Sequence, residues 1–318
     1  MEELLMVYMG ANVKTKLSVY HKRLLLTSLL LIIIFASLCV YTLIVNVEKS
    51  SLEKAIHVKN ETELDNAINA VQKGGSVIIA LDNDITLTNS PLLISDKKDI
   101  TLTSNKTDGE FFKLIGAAGV STININNDGV LKLEGITVTH LSDATGSGVT
   151  INEGSILILI NGEISDNTND IIGGGVNNRG TFMMHGGVIS GNNANFSGGG
   201  VAVSYNGVFR MYGGKILGNT AMYGGGVSNG CTFKMFGGEI SGNTASKDGG
   251  GVHSIYGVFN RFGGTIYDNK SVQGEDNVSP AETDGLSNTI VCAGIVSTVG
   301  VVVCLFLYFK FHKRNIHR

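Results

Sequence analysis

Between residues 146 and 270, apolar and polar positions follow one pattern five times. In the middle of each copy, large apolar residues occupy every second position, a period of two that is typical of β-strands. A further strand-like piece centred on an isoleucine comes next. The pattern predicts three columns of inward-facing side chains: Leu157, Phe182, Phe209, Phe233 and Phe259; Leu159, Met184, Met211 and Met235; and Ile164, Ile189, Ile216, Ile240 and Ile266.

The four GGGV copies recur every 25 or 26 residues. The motif GGGV begins at Gly173, Gly198, Gly224 and Gly249, and a weaker copy, GSGV, begins at Gly146. No glycine-free stretch in residues 173–264 is long enough for a repeat made of two helices. Three short strands per copy, each pairing with its equivalent in the next copy, predict a parallel β-helix whose equivalent residues stack about 4.8 Å apart.

An asparagine follows the isoleucine column by three residues in every copy. Asparagine tolerates left-handed backbone conformations, and its amide group can bond the amides above and below it. We therefore predict a structural ladder at a turn, in preference to a ligand site. Its members are Asn167, Asn192, Asn219, Asn243 and Asn269.

The repeat GGGV-x₇₋₁₀-F-x-M-x-GG-x-I-x-GN resembles that of bacterial surface proteins with a right-handed parallel β-helix. Those proteins belong to the pectate-lyase-like superfamily and include adhesin-like and polymorphic-outer-membrane-protein-like members. The motif covers residues 146–270, well under half of the chain. The resemblance implies a right-handed coil, which agrees with the general preference of parallel crossovers. It is specific for the fold and weak for the function.

Looser alternating pieces upstream predict earlier coils, at residues 85–87, 100–102, 123–125, 131–133 and 136–138. Before them, residues 61–73 predict a helix with Leu64, Ile68 and Val71 on one face and Gly74 at the C-terminal cap position. Such a helix would cover the first coil, whose strand edges would otherwise be open to pairing.

Two long uncharged runs, residues 24–45 and 290–309, flank the repeat. Each is long enough to cross about 30 Å of hydrocarbon as a helix. Basic residues lie on the terminal side of each run, which predicts cytoplasmic termini and an exported body. The first run could instead be a cleaved signal peptide, and in both cases the repeat body is exported.

These observations predict an all-β chain: a right-handed parallel β-helix with an N-terminal capping helix, flanked by two transmembrane helices. The expected segments are a cytoplasmic segment 1–23, a signal anchor or signal peptide 24–45, a linker and capping helix 46–75, the β-helix 76–273, a linker 274–288, a transmembrane helix 289–309 and a basic cytoplasmic tail 310–318.

Composition narrows the class of protein. Glycine contributes 43 residues and proline only 2, which excludes collagen, while a hydrophobic share of 43% requires a core. A net charge of −3 gives no reason to expect a nucleic-acid partner. Three of the four cysteines lie in the apolar runs, so Cys231 has no partner for a disulfide in the body.

The superfamily that the repeat resembles includes enzymes that cleave acidic polysaccharides. Hydrolases of this kind need paired carboxylates at a controlled separation. Glu163 and Glu239 share a column but lie three coils apart, and Asp166 and Asp268 lie four coils apart. We therefore predict no catalytic residue.

No phosphate-binding or dinucleotide motif occurs. The spacing of His140, His185 and His253 does not suit a metal, and we expect all three at the surface. We predict neither a metal site nor a cofactor.

One surface is a candidate for binding. One position beyond the methionine column, alternation turns an aromatic residue outward on successive coils, which predicts a strip suited to sugar rings or a protein partner. Its members are His185, Tyr212, Phe236 and Phe262. The alternative is that the chain bends there and the rings pack against the glycines that come next.

The sequence thus predicts a non-catalytic, adhesin-like binding module for a glycan or a protein ligand. We expect it to be anchored in a lipid bilayer and displayed on the extracytoplasmic face or cell surface. A membrane-tethered polysaccharide lyase or hydrolase and a structural envelope spacer are the alternatives.

Overall fold

A computed structural model describes residues 54–88, 91–104, 111–141, 144–254 and 256–279. In them the chain winds through four parallel sheets of nine, eight, five and eight strands, and each strand pairs with its equivalents in the neighbouring coils. This confirms the predicted parallel β-helix. Its right-handed sense stays a prediction from the resemblance.

The sheets are numbered in the order in which a coil visits them. The first sheet consists of Ile56–Val58, Ser76–Leu81, Asp99–Ser104, Val130–Glu134, Ile156–Leu159, Thr181–Met184, Val208–Met211, Thr232–Met235 and Val258–Arg261. The second consists of Ile85–Thr86, Phe112–Gly116, Ile136–His140, Glu163–Ser165, Val188–Ser190, Lys215–Leu217, Glu239–Ser241 and Thr265–Tyr267. The third consists of Thr168–Asn169, Asn193–Ser197, Thr220–Tyr223, Thr244–Asp248 and Lys270–Ser271. The fourth consists of Leu92–Ile94, Ile123–Ile125, Val149–Ile151, Val176–Asn178, Val201–Val203, Val227–Asn229, Val252–His253 and Val278–Ser279.

The core is built from the predicted columns. In the first sheet Phe182, Phe209 and Phe233 are fully buried, and their rings stack with centroids 4.7 Å apart. Phe259 continues the stack at 4.8 Å. The isoleucine column of the second sheet is in register from coil to coil. Equivalent positions repeat because each parallel strand pairs without a shift in these two sheets.

The third sheet was not predicted, because the sequence suggested three strands per coil and the regular coils contain four. The inward residues of this sheet are small, and Ala194, Ala221 and Ala245 are buried there. Most of its other positions are polar. The alternation of large apolar residues therefore gives no signal for these strands.

The glycine triplets form the corner between the third and fourth sheets. The first glycine of the triplet is left-handed, as at Gly224 with φ +62°, which a residue with a Cβ rarely adopts. A Cβ on the next residue, Gly225, would lie 2.4 Å from the carbonyl oxygen of Thr244. The corner is therefore both sharp and closely packed.

A helix, α1 (Glu61–Ala70), lies between the first two strands of the first sheet, Ile56–Val58 and Ser76–Leu81. Asn60 caps it, because its side-chain oxygen accepts a hydrogen bond from the Glu63 amide at 3.0 Å. Leu64 and Ile68 are buried in the core cluster, as predicted. The helix ends three residues before the predicted Lys73, since Val71 is already extended, with φ −71° and ψ 123°.

The predicted fold class requires a correction at the two flanking transmembrane helices. Within the described residues, no helix is long and apolar enough to cross a membrane. The ten residues of α1 extend about 15 Å, half of the roughly 30 Å that a hydrocarbon core requires. Over the residues that the structure describes, the fold class is an all-β parallel solenoid with one helix. The predicted segments 1–23, 24–45, 289–309 and 310–318 lie outside the described residues, and the strand Val278–Ser279 falls in the predicted linker 274–288.

Candidate functional site

The four rings of the aromatic strip lie on successive coils and stack on one another. His185 and Tyr212 have ring centroids 4.8 Å apart, Tyr212 and Phe236 are 5.1 Å apart, and Phe236 and Phe262 are 5.0 Å apart. The planes of neighbouring rings differ by 16°, 9° and 11°. Tyr212, Phe236 and Phe262 are 42%, 41% and 66% exposed, and His185 is exposed as well. The strip therefore presents a continuous aromatic surface to solvent.

The backbone holds the strip in position. Each strip residue directly follows the last residue of a first-sheet strand, and its amide still donates to a carbonyl of the previous coil. The Tyr212 amide donates to the Met184 carbonyl and the Phe236 amide to the Met211 carbonyl, both at 2.7 Å. The chain then turns away at a glycine, because a Cβ on Gly213 would lie 2.5 Å from the His185 carbonyl oxygen.

Charged side chains flank the strip. On one side, Arg210 and Lys234 occupy paired positions two residues before Tyr212 and Phe236. Strand alternation points them to the same face as the strip. Neither forms a side-chain hydrogen bond or ion pair with the residues that the structure describes.

On the other side of the strip, Glu239 joins three partners. Its Oε1 atom accepts hydrogen bonds from the hydroxyls of Ser241 at 2.7 Å and Tyr267 at 2.8 Å, and its Oε2 atom lies 3.2 Å from Lys215 Nζ. These hydrogen bonds, led by that of Ser241, hold the pKa of Glu239 below its usual value. The carboxylate of Glu239 therefore binds a residue of its own strand and one residue in each neighbouring coil.

The asparagine ladder lies inside the turn between the second and third sheets. The Nδ2 atom of each ladder residue donates to the Oδ1 atom of the next at 2.9 Å. The same Oδ1 atom accepts the backbone amide of the previous ladder residue at 3.0 Å. All five side chains are buried, at 3% exposure or less. The ladder is therefore part of the interior and presents no surface to a ligand.

The ladder is completed by two residues that the sequence did not place in it, His140 and Asn277. His140 Nδ1 lies 2.8 Å from Asn167 Oδ1 at one end, and Asn269 Nδ2 donates to Asn277 Oδ1 at 3.0 Å at the other. The expectation that His140 lies at the surface was wrong, since the residue is only 5% exposed. His253 is half-buried rather than fully exposed, whereas His185 does lie at the surface.

The acidic candidates have structural roles. Glu163 and Glu239 are separated by three steps of strand pairing, about 14 Å, and Glu163 Oε1 accepts a hydrogen bond from Ser190. Asp166 and Asp268 are left-handed, with φ +56° and +52°, and each directly precedes a ladder asparagine. The equivalent residues in the three intervening coils are glycines with φ +62° to +65°, namely Gly191, Gly218 and Gly242. The two aspartates are therefore turn residues.

In the described part of the chain, no group of three or more His, Cys, Asp or Glu residues is arranged to hold a metal ion. Cys231 is a free cysteine, and burial raises the pKa of its thiol.

Comparisons with models of protein families, with curated proteins and with solved structures found no match.

Proposed function

We propose that this protein is a non-catalytic binding module whose aromatic strip contacts a glycan or a protein ligand. The observation that carries the proposal is the exposed stack of His185, Tyr212, Phe236 and Phe262. Large apolar rings in water are costly unless a partner covers them, and contiguous exposed apolar surface is typical of interaction sites. A packing role would turn these rings toward the body, but Tyr212, Phe236 and Phe262 are each at least 41% exposed.

The proposal includes the adhesin-like role and membership of the pectate-lyase-like β-helix proteins. The repeat of GGGV, alternating Phe and Met, and GN supports that membership. It also includes display on the extracytoplasmic face, which stays a prediction from the sequence.

The test uses a double variant that carries both Tyr212→Ser and Phe236→Ser. The full-length protein is screened on a glycan array and on cultured cells, and the double variant is measured on every ligand found. We expect its binding to at least one of these ligands to fall by at least about tenfold, because two stacked rings are lost from the contact. Circular dichroism should stay unchanged, since neither ring belongs to the buried core.

Tyr205→Ser provides the matched control, because Tyr205 is an exposed tyrosine that lies outside the strip. It should bind like the unmodified protein. Undiminished binding of every ligand by a folded double variant would overturn the role of the strip. Calcium-dependent release of unsaturated sugars would favour the lyase alternative, and absence of binding to every surface would favour the spacer.

A further inference from the structure

A second aromatic surface lies away from the strip, on the fourth sheet, between the end of the third sheet and the turn that leads to the first sheet. A cleft of about 380 Å³ opens there, a volume within the usual range of small-ligand sites. Its principal walls and floor are formed by Phe196, Tyr223, Ser228, Gly230, His253 and Tyr256. The strip, in contrast, lies between the first and second sheets, so the two surfaces share no residue.

A short turn creates the cleft. Val203 and Asn229 are paired, as are Val208 and Thr232 in the strands after the turn. Four residues join Val203 to Val208, but only Gly230 and Cys231 join Asn229 to Thr232. The shorter connection leaves space above its own coil. A Cβ on Gly230 would approach only the Val203 carbonyl oxygen within 4 Å, at 3.1 Å.

Aromatic rings line this space. Phe196 and Tyr223 meet edge to face with centroids 5.6 Å apart, and the Tyr223 ring lies 5.1 Å from that of His253. Phe196 is 52% exposed and Tyr256 is 88% exposed. Flat apolar faces are therefore available to a ligand that enters the cleft.

The polar groups of the cleft are neutral and partly unpaired. The Ser228 hydroxyl forms no hydrogen bond with a described residue, and His253 Nε2 is shielded from solvent without a hydrogen-bond partner in the described part of the chain. Burial lowers the pKa of His253, although Asp248 partly opposes this, and the neutral imidazole is thereby favoured. The Asn229 amide is already used, because Nδ2 donates to Ser254 Oγ at 2.8 Å and Oδ1 accepts from the Cys231 amide at 3.2 Å.

We propose that this cleft binds a single neutral sugar ring. The C–H face of the ring would stack on Tyr256, whose ring is exposed, and its hydroxyls would bond to Ser228 and the phenol groups. A purely apolar ligand would leave these hydroxyls unpaired, which costs binding free energy. A charged ligand would find no opposite charge, because no acidic or basic side chain among the described residues lines the cleft apart from the neutral His253.

The test uses the full-length protein and saturation-transfer NMR with N-acetylglucosamine, glucose and galactose, with glucuronate as the charged counterpart. At least one neutral sugar should bind, with the largest transfer at its ring C–H protons. Tyr256→Ala should weaken that binding about tenfold, since it removes one stacking face. Gly230→Leu should abolish it by filling the cleft.

The strip variant Tyr212→Ser with Phe236→Ser serves as the matched control and should bind the monosaccharide normally. The two proposals therefore fail separately. Binding of glucuronate alone, no binding of any neutral sugar, or full binding by a folded Gly230→Leu protein would each overturn the assignment of the cleft. Tyr256→Ala keeps the test valid if Gly230→Leu does not fold, because Tyr256 is almost fully exposed.

Discussion

His140 Nδ1 lies 2.8 Å from Asn167 Oδ1, so an imidazole takes the place that an asparagine amide holds in the later coils. Its other ring nitrogen, Nε2, lies 2.9 Å from the Val120 carbonyl oxygen. Along the ladder every Oδ1 atom accepts from the preceding coil, and the first ladder residue needs a donor from a coil that carries no ladder asparagine. The tautomer of His140 that carries its proton on Nδ1 provides that donor, and with it the ladder begins without an unpaired buried oxygen.

Replacing His140 by alanine should destabilise the β-helix by about 1–3 kcal/mol, because Asn167 Oδ1 stays buried and loses its imidazole donor. Urea unfolding followed by circular dichroism measures the change. His185→Ala is the control and should be close to neutral, since its side chain is exposed. Equal stability of the two variants would contradict the role of His140.

Phe209→Ala should cost about 3–5 kcal/mol, because the ring is fully buried between two others at 4.7 Å on either side. Tyr212→Ala, three residues later, should cost far less because the ring faces solvent. Thermal unfolding of the two variants gives the comparison. A neutral Phe209→Ala would mean that the phenylalanine column does not carry the core.

Asp166→Gly should preserve the fold and raise its stability by up to about 1 kcal/mol, because glycine accepts the left-handed backbone that aspartate adopts at a cost. Asp166→Val, which keeps a Cβ and adds branching, should be destabilising. Denaturant midpoints report both effects. A large loss on Asp166→Gly would show that the carboxylate itself is required for stability.

Tyr267→Phe should raise the pKa of Glu239 toward its usual value, because it removes one of the hydrogen bonds that lower it. The folded pKa of Glu239 is depressed, so its stabilising contribution is present above the pKa of the unfolded chain and is lost as the pH falls through the folded value. NMR titration of the Glu239 carboxyl carbon across the acidic range measures both proteins. An unchanged titration would show that Tyr267 does not act on this carboxylate.

The regular part of the fold could be predicted because each core column repeats one large residue type. Phe182, Phe209 and Phe233 are visible in the sequence as they are in the structure. The third sheet could not be predicted, since a strand whose inward residue is alanine and whose other residues are mostly polar has the same composition as a polar loop. The cleft was also invisible, because it depends on a two-residue difference between the connections after Val203 and Asn229.

Strand alternation alone was enough to predict the strip residues, whereas His140, the first member of the ladder, was not predicted. His140 breaks the 25-residue pattern, because its coil lacks the left-handed residue that precedes each ladder asparagine. Val138 pairs with Ile164, so the ladder position comes two residues after Val138 but three after Ile164. A single histidine with no repeat partner gives no periodic signal.

The direction of the ladder determines how this protein can change in size. Each Nδ2 atom points to the next coil, with His140 as the donor at the start and Asn277 as the acceptor at the finish. If one interior coil were duplicated, the added ladder asparagine would bond to an asparagine on either side, and the added core phenylalanine would stack on a phenylalanine. Both ends of the ladder would stay unchanged. Each duplication adds about 4.8 Å and one more set of stacked rings. The length of the solenoid and the length of its aromatic strip can therefore grow together, one coil at a time. Each step needs a tandem duplication of roughly 75 nucleotides of coding sequence, which is three per residue of a 25-residue repeat.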